Sequence, residues 1–145
     1  MSTIFCALIV ASTVEANKEE LKKLHGTWLM VSAEANGEVH LAKELQDQGL
    51  PKQLKIAGDR IDPLLGAPAS RFSIDPAKNP KHLDVANGDD ADRIKWIYAL
   101  DGDNLKMAVT FDFKLFGGAP DTSRPKSFAT KGNKVIVITL KRENK

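Results

Sequence analysis

The stretch that decides the fold is residues 93–113, RIKWIYALDGDNLKMAVTFDF. Apolar side chains fill alternate positions before the polar turn Asp101-Gly102-Asp103-Asn104 and again after it: Ile94, Trp96, Tyr98 and Leu100, then Leu105, Met107, Val109, Phe111 and Phe113. A period of two residues on both sides of a Gly-containing turn is typical of a β-hairpin with one buried face. This hairpin therefore predicts a sheet that covers an apolar core.

Shorter segments of the same kind flank the hairpin on both sides. Trp28, Met30 and Ser32 alternate with Leu29, Val31 and Ala33 in one such segment, and the others centre on Leu54–Ile56, Ile61–Leu65 (interrupted by Pro63), Phe72–Ile74, Leu83–Val85, Phe128 and Val135–Arg142. Two short helices are expected, one from Asn17 to Gly26 and one within residues 40–49. Eight or nine short strands without a long helix between them indicate an antiparallel barrel or sandwich. A barrel removes the sheet edges, so we predict an all-β, up-and-down barrel of about eight strands with a short N-terminal helix.

The composition is that of one soluble domain. The chain has 145 residues, 28% of them charged, and a formal net charge of +2. That charge is small for a nucleic-acid-binding protein, and the aromatic residues Trp96 and Tyr98 share their strand face with aliphatic residues rather than with basic ones. We predict no nucleic-acid partner.

The first sixteen residues, MSTIFCALIVASTVEA, have the layout of a secretory signal peptide. Residues 4–10 form an apolar run, Val14-Glu15-Ala16 resembles a cleavage site, and a charged segment follows at once, although residues 2–5 contain no Lys or Arg. The other interpretation of this segment is a first strand or a short buried helix. We predict a leader at residues 1–16, a barrel at residues 17–145, and export to the periplasm or the medium. Since no apolar run reaches about 18 residues, no stable membrane insertion is expected after leader removal.

Two features resemble the lipocalin barrel plan. Gly26-Thr27-Trp28 matches the G-x-W that opens the first lipocalin strand after a short helix, and Arg142 shares a face with Ile136, Ile138 and Leu140 on the last strand. In lipocalins a late Arg stacks over that Trp. The resemblance implies that Gly26, Trp28 and Arg142 close one end of the barrel.

A wider set of segments resembles the planctomycete-type lipocalin-like domain, a family of exported bacterial paralogues with no assigned activity. The segments are LKKLHGTW, FSIDPAKNPKHLDV, IYALDGDNLKMAV, SRPKSF and VITLKREN, in this order between Lys18 and Glu143. The chain departs from the pattern at Pro63, which interrupts a strand, and at Met107-Ala108, where many relatives carry Cys. The resemblance implies fold and export, and no catalytic residue.

Sequence motifs for catalysis, metal binding and cofactor binding are missing. His25, His40 and His82 lie far apart in the chain, and the single Cys6 lies in the predicted leader. An acidic loop follows Asp84 (Asn87, Asp89, Asp90 and Asp92), but Lys95 stands where a calcium loop of the EF-hand type needs Glu. No G-x-S-x-G or phosphate loop is present. We therefore expect no enzyme activity, no catalytic residue, no metal and no cofactor.

An eight-stranded barrel either fills with side chains or holds one small ligand. The first hypothesis is a non-enzymatic protein that binds a small hydrophobic molecule. Its interior candidates are Trp28, Met30, Phe72, Trp96, Tyr98, Met107 and Phe111. The alternative is an extracytoplasmic module with a filled core that contacts a protein or an envelope polymer through its loops. A third hypothesis, a hydrolase, would require a buried polar cluster near His82 or His25.

Overall fold

A computed structural model describes residues 17–47, 51–62, 70–86, 93–110 and 123–143. The elements are helix α1 (residues 17–24), strands β1 (Gly26–Ala35) and β2 (Glu38–Leu41), helix α2 (Ala42–Asp47), and strands β3 (Gln53–Ala57), β4 (Arg60–Asp62), β5 (Ser70–Asp75), β6 (Lys81–Ala86), β7 (Arg93–Asp101), β8 (Asn104–Thr110) and β9 (Val135–Arg142). The predicted leader, Pro63, the acidic loop after Asp84, and Phe111 with Phe113 lie outside the described residues.

The strands form one antiparallel sheet that closes on itself. Neighbouring strands follow the order β2-β1-β3-β4-β5-β6-β7-β8-β9, and β9 also pairs with β1 from Trp28↔Arg142 to Ala35↔Ile136. Eight strands, β1 and β3 to β9, make the closed barrel. The prediction of an up-and-down all-β barrel of about eight strands with a short N-terminal helix is confirmed.

Strand β1 pairs with three strands: one of its edges pairs with β9, and the other edge is divided between β3 and β2. Residues 26–29 pair with β3, and residues 32–35 pair with β2. Helix α2 lies between these two partners in sequence, and its Leu45 is buried in the main core. A bulge between Met30 and Ser32 shifts the alternation, so that Ala33 is buried and Ser32 is not. The alternation that groups Ser32 with Trp28 and Met30 therefore ends at this bulge, since one extra residue reverses the facing of all that follow.

The core is one continuous cluster of inward side chains, contributed by the strands of the barrel and by both helices. We call the two barrel ends the helix end and the loop end. At the helix end α1 crosses the barrel, β1, β6 and β8 begin, and β9 ends. At the loop end β1, β6 and β8 end.

A segment outside the barrel, residues 123–134, covers part of the sheet's outer face; we call it the strap. Its Phe128 packs against a second apolar cluster of Ile97, Ala108, Val135 and Val137 on the outer side of β7, β8 and β9. The predicted short strand at Phe128 is wrong, because the segment is irregular and makes side-chain contacts instead of ladder pairs.

Polar contacts fix the strap to three places on the barrel. Arg124 Nη1 donates to the Trp96 carbonyl oxygen at 2.9 Å and lies 2.7 Å from Asp84 Oδ1. The buried Thr130 hydroxyl donates to Glu34 Oε2 at 2.5 Å and accepts the Gly37 N–H at 3.0 Å. A hydroxyl that donates and accepts in a buried position is satisfied on both counts, so it holds the strap firmly against the β1–β2 turn.

Candidate functional site

The helix end is closed by Arg142, which lies over Trp28. The guanidinium carbon is 4.3 Å from the centre of the Trp28 ring, within the range of a cation–π contact. Arg142 also donates to the carbonyl oxygens of Lys23 and His25 and, through Nε, to Asp103 Oδ1 at 3.2 Å. The carbonyl groups at a helix C-terminus lack partners inside the helix, so one arginine satisfies the end of α1 and covers the indole beneath it.

Gly26 makes room for this arginine. Its φ is +130°, a conformation that residues with side chains rarely adopt, and a Cβ built there would lie 3.0 Å from Arg142 Nη1. The structure thus brings Gly26, Trp28 and Arg142 together at one barrel end.

A polar cluster lies next to this closure. The buried Glu20 Oε1 accepts hydrogen bonds from Lys81 Nζ at 2.7 Å and from the Tyr98 hydroxyl at 3.2 Å. Burial and the Glu20 carboxylate strongly raise the pKa of Tyr98, so its phenol stays protonated. A surface cavity of about 340 Å³ opens beside the cluster, lined by Glu20, Lys23, Lys81, Leu100, Asp101, Gly102 and Arg142. The cluster ties α1 to β6 and β7.

Six of the seven interior candidates are inward and buried: Trp28, Met30, Phe72, Trp96, Tyr98 and Met107. The seventh, Phe111, lies outside the described residues. Trp28 and Tyr98 lie at the helix end, where each makes a structural hydrogen bond. Met30, Phe72, Trp96 and Met107 lie in the middle of the barrel, which leaves them as the candidates for contact with a ligand.

Exposure of the inner side chains rises from the helix end to the loop end. The inner face near the helix end holds Trp28, Tyr98, Leu105 and Leu140, all at most 1% exposed. Toward the loop end it holds Ala33, Ala35, Val85, Ile94, Val109 and Ile136, with Phe72 directly opposite Val85 and Trp96 directly opposite Val109. Of these, Ala35 and Ile94 are only half-buried, and Met30 and Phe72 retain 7% and 6% exposure. The four side chains named at the helix end are therefore fully buried, whereas Ala35 and Ile94 at the loop end are partly exposed.

The residues with polar roles were the ones that sequence patterns missed. In the sequence Asn17 and Glu20 fit a capping box, yet the Glu20 carboxylate turns toward Lys81 and Tyr98. Asp103 was expected only as a turn residue, yet it also binds Arg142. The sequence feature that could have indicated the role of Glu20 is its place beside Leu21 and Leu24, on the face of α1 that packs on the barrel.

The three histidines take separate positions. His25 Nε2 accepts the Gly58 N–H at 3.1 Å, and His40 Nδ1 lies 3.1 Å from Glu44 Oε2. Within the described ranges, no three His, Cys, Asp or Glu side chains are grouped so that they could hold a metal ion. Among the same residues, no helix has the length and apolar character needed to cross a membrane.

Comparison of the chain with known protein families, curated proteins and solved structures finds no match.

Replacing Gly26 with Ala should destabilise the fold by about 2 kcal/mol, because a strained φ of this kind costs on the order of 1–3 kcal/mol. The added Cβ would also press on Arg142. Gly102 has φ +59° and nothing within 4 Å of a built Cβ, so Gly102→Ala is the matched control and should cost less. Urea unfolding measures both changes. Equal losses in the two variants would contradict the role given to the Gly26–Arg142 contact.

Stability should fall as the pH drops below 7, partly through His82. Burial and the Arg124 guanidinium lower the pKa of His82 below its ordinary 6.5, although Asp75 and Asp84 act in the opposite direction. The unfolded chain then binds this proton more readily, so the free energy of unfolding decreases as the pH falls through the unfolded-state pKa. Thermal unfolding between pH 7.5 and pH 5 should show a smaller loss of Tm in His82→Gln than in the wild type. An identical loss would contradict the lowered pKa.

Proposed function

We propose that this protein is an exported, non-enzymatic, lipocalin-like binding protein that holds a small hydrophobic molecule in the loop end of its barrel. The observation that carries the proposal is that the inner residues Ala35 and Ile94 at the loop end are only half-buried, whereas the four inner residues named at the helix end are fully buried. A small apolar molecule that enters there would contact hydrocarbon side chains on several strands at once. Burial of its surface stabilises the complex by roughly 25 cal/mol per Å² before the costs of association.

The closed helix end also favours entry of the ligand through the loop end. Arg142, Glu20 and Lys81 are engaged in contacts that join α1 to the barrel, so entry through that end would break several charge-assisted hydrogen bonds at once. Among the described inner residues at the loop end, the contacts that entry would displace are apolar.

A second candidate function is a surface module that binds a protein or an envelope polymer. It rests on four exposed apolar side chains on the outer face of β1 and β2: Leu29, Val31, Val39 and Leu41. Contiguous exposed apolar groups often mark interaction surfaces. These four residues carry no charge that would select a particular partner. The interior site is therefore the more specific proposal.

Titration with the apolar fluorescent probe N-phenyl-1-naphthylamine tests the interior site. We expect saturable fluorescence enhancement with the wild-type chain. Ala35→Phe would fill the loop end and weaken binding by about tenfold or more, which corresponds to 1.4 kcal/mol. The matched control is Val31→Phe, on the same strand but outward and 42% exposed; it should leave the affinity unchanged.

Two outcomes would contradict the interior site: no saturable enhancement with the wild type, or equal affinities in the two phenylalanine variants. Enhancement lost only in Val31→Phe would move the site to the outer face of β1 and β2. Circular dichroism of each variant shows whether the barrel is intact.

Export is tested separately by mass spectrometry of the chain isolated from its own cells. If the leader pattern at residues 1–16 is cleaved after Ala16, the intact mass is that of a chain beginning at Asn17. A mass that includes Met1 to Ala16 would contradict export by this route.

A further inference from the structure

The two tryptophan indoles of this chain differ in their hydrogen bonds. Trp28 Nε1 donates to the Leu24 carbonyl oxygen at 2.8 Å. Trp96 Nε1 is buried, and no described residue accepts its proton. The other buried side-chain atom without a hydrogen bond, Asp84 Oδ1, has an ion-pair partner in Arg124 at 2.7 Å. Trp96 is therefore the buried donor that needs an explanation.

The inner-face neighbours of Trp96 offer it no strong acceptor. Leu83 and Val109 lie directly opposite it on the two adjacent strands, and directly opposed side chains share one face of the sheet. Along β7 the same-face neighbours are Ile94 and Tyr98, and the Tyr98 hydroxyl, which donates to Glu20, does not accept the Trp96 indole proton. A buried water needs two to four polar partners, and among these four neighbours only Tyr98 carries a polar group.

An unpaired buried N–H costs about 1–3 kcal/mol. A ligand that brings its own acceptor into the barrel recovers that cost while its apolar part contacts the surrounding side chains. An ionised acceptor would be buried without a cation among the described inner residues near Trp96, which is unfavourable. The acceptor must therefore be neutral.

We propose that the interior ligand is a small apolar molecule with one neutral hydrogen-bond acceptor, such as a ketone, ester or ether oxygen, which receives the Trp96 indole proton. This inference rests on the proposed function and names the ligand class. Trp96 lies three residues from the start of β7, or about 10 Å along the strand. The acceptor therefore enters first, and the hydrocarbon part extends toward Ile94 and the loop end.

The test uses the full chain labelled with ¹⁵N, in which the two tryptophans give two indole N–H signals in an NMR spectrum. Trp96→Phe assigns them by removing one. The matched probes are 2-heptanone and 2-methyl-1-heptene, which differ by a carbonyl oxygen in place of a methylene group. Heptanoate serves as the charged comparison. The Trp28 indole is the internal control, because its proton is already bonded to Leu24.

We expect the ketone to move the Trp96 indole proton downfield and to leave that of Trp28 in place. The ketone should bind the wild-type chain about tenfold more tightly than the alkene, and heptanoate more weakly than the ketone. In Trp96→Phe, ketone and alkene should bind with equal affinity. If that variant does not fold, the wild-type affinities and indole shifts decide the question.

Three results would overturn the inference. Equal affinities for ketone and alkene, with the Trp96 signal unmoved, would refute the acceptor and leave the proposed apolar site standing. A Trp96 proton at the low-field position of a bonded indole in the free protein would show that the donor already has a partner. Failure of both neutral probes to bind, together with failure of the naphthylamine probe, would refute the proposed function as well.

Discussion

The pairing of β9 with β1 is the constraint on which the rest of the structure depends. It brings the last strand of the barrel beside the first, so that Arg142 reaches Trp28 and the last carbonyl groups of α1. Without this pairing the sheet would have two exposed edges, and the helix end would have no cover. One arginine therefore joins three tasks: it completes the end of a helix, it covers an aromatic ring, and it lies on the seam where the barrel closes.

Different interactions stabilise the two barrel ends. At the helix end, charged and polar groups satisfy one another in partly buried positions, as Glu20 does with Lys81 and Tyr98. Such networks rigidify a structure when each member has a partner. Toward the loop end the described inner side chains are apolar, and their contacts are non-directional.

The strap adds a layer that the barrel alone does not need for closure. It covers Ile97 and Val137 on the outer face, and its Arg124 donates to the backbone oxygen of Trp96. Trp96, whose indole N–H has no acceptor among the described residues, is thus held from outside through its main chain.

The sequence by itself determined the strand pattern, the short helices and the inward positions of Trp28, Trp96 and Met107, because these follow from a local period of two residues and from turn chemistry. It also indicated Arg142 and Trp28 as a closing pair, through resemblance. Only the tertiary structure decided that Ala33 replaces Ser32 inside, since a bulge depends on the partner strand. Likewise only the tertiary structure paired Glu20 with Lys81 and Thr130 with Glu34, 61 and 96 residues apart. Hydrogen bonds between distant segments leave no periodic signal in a single chain, whereas apolar burial on one strand face does.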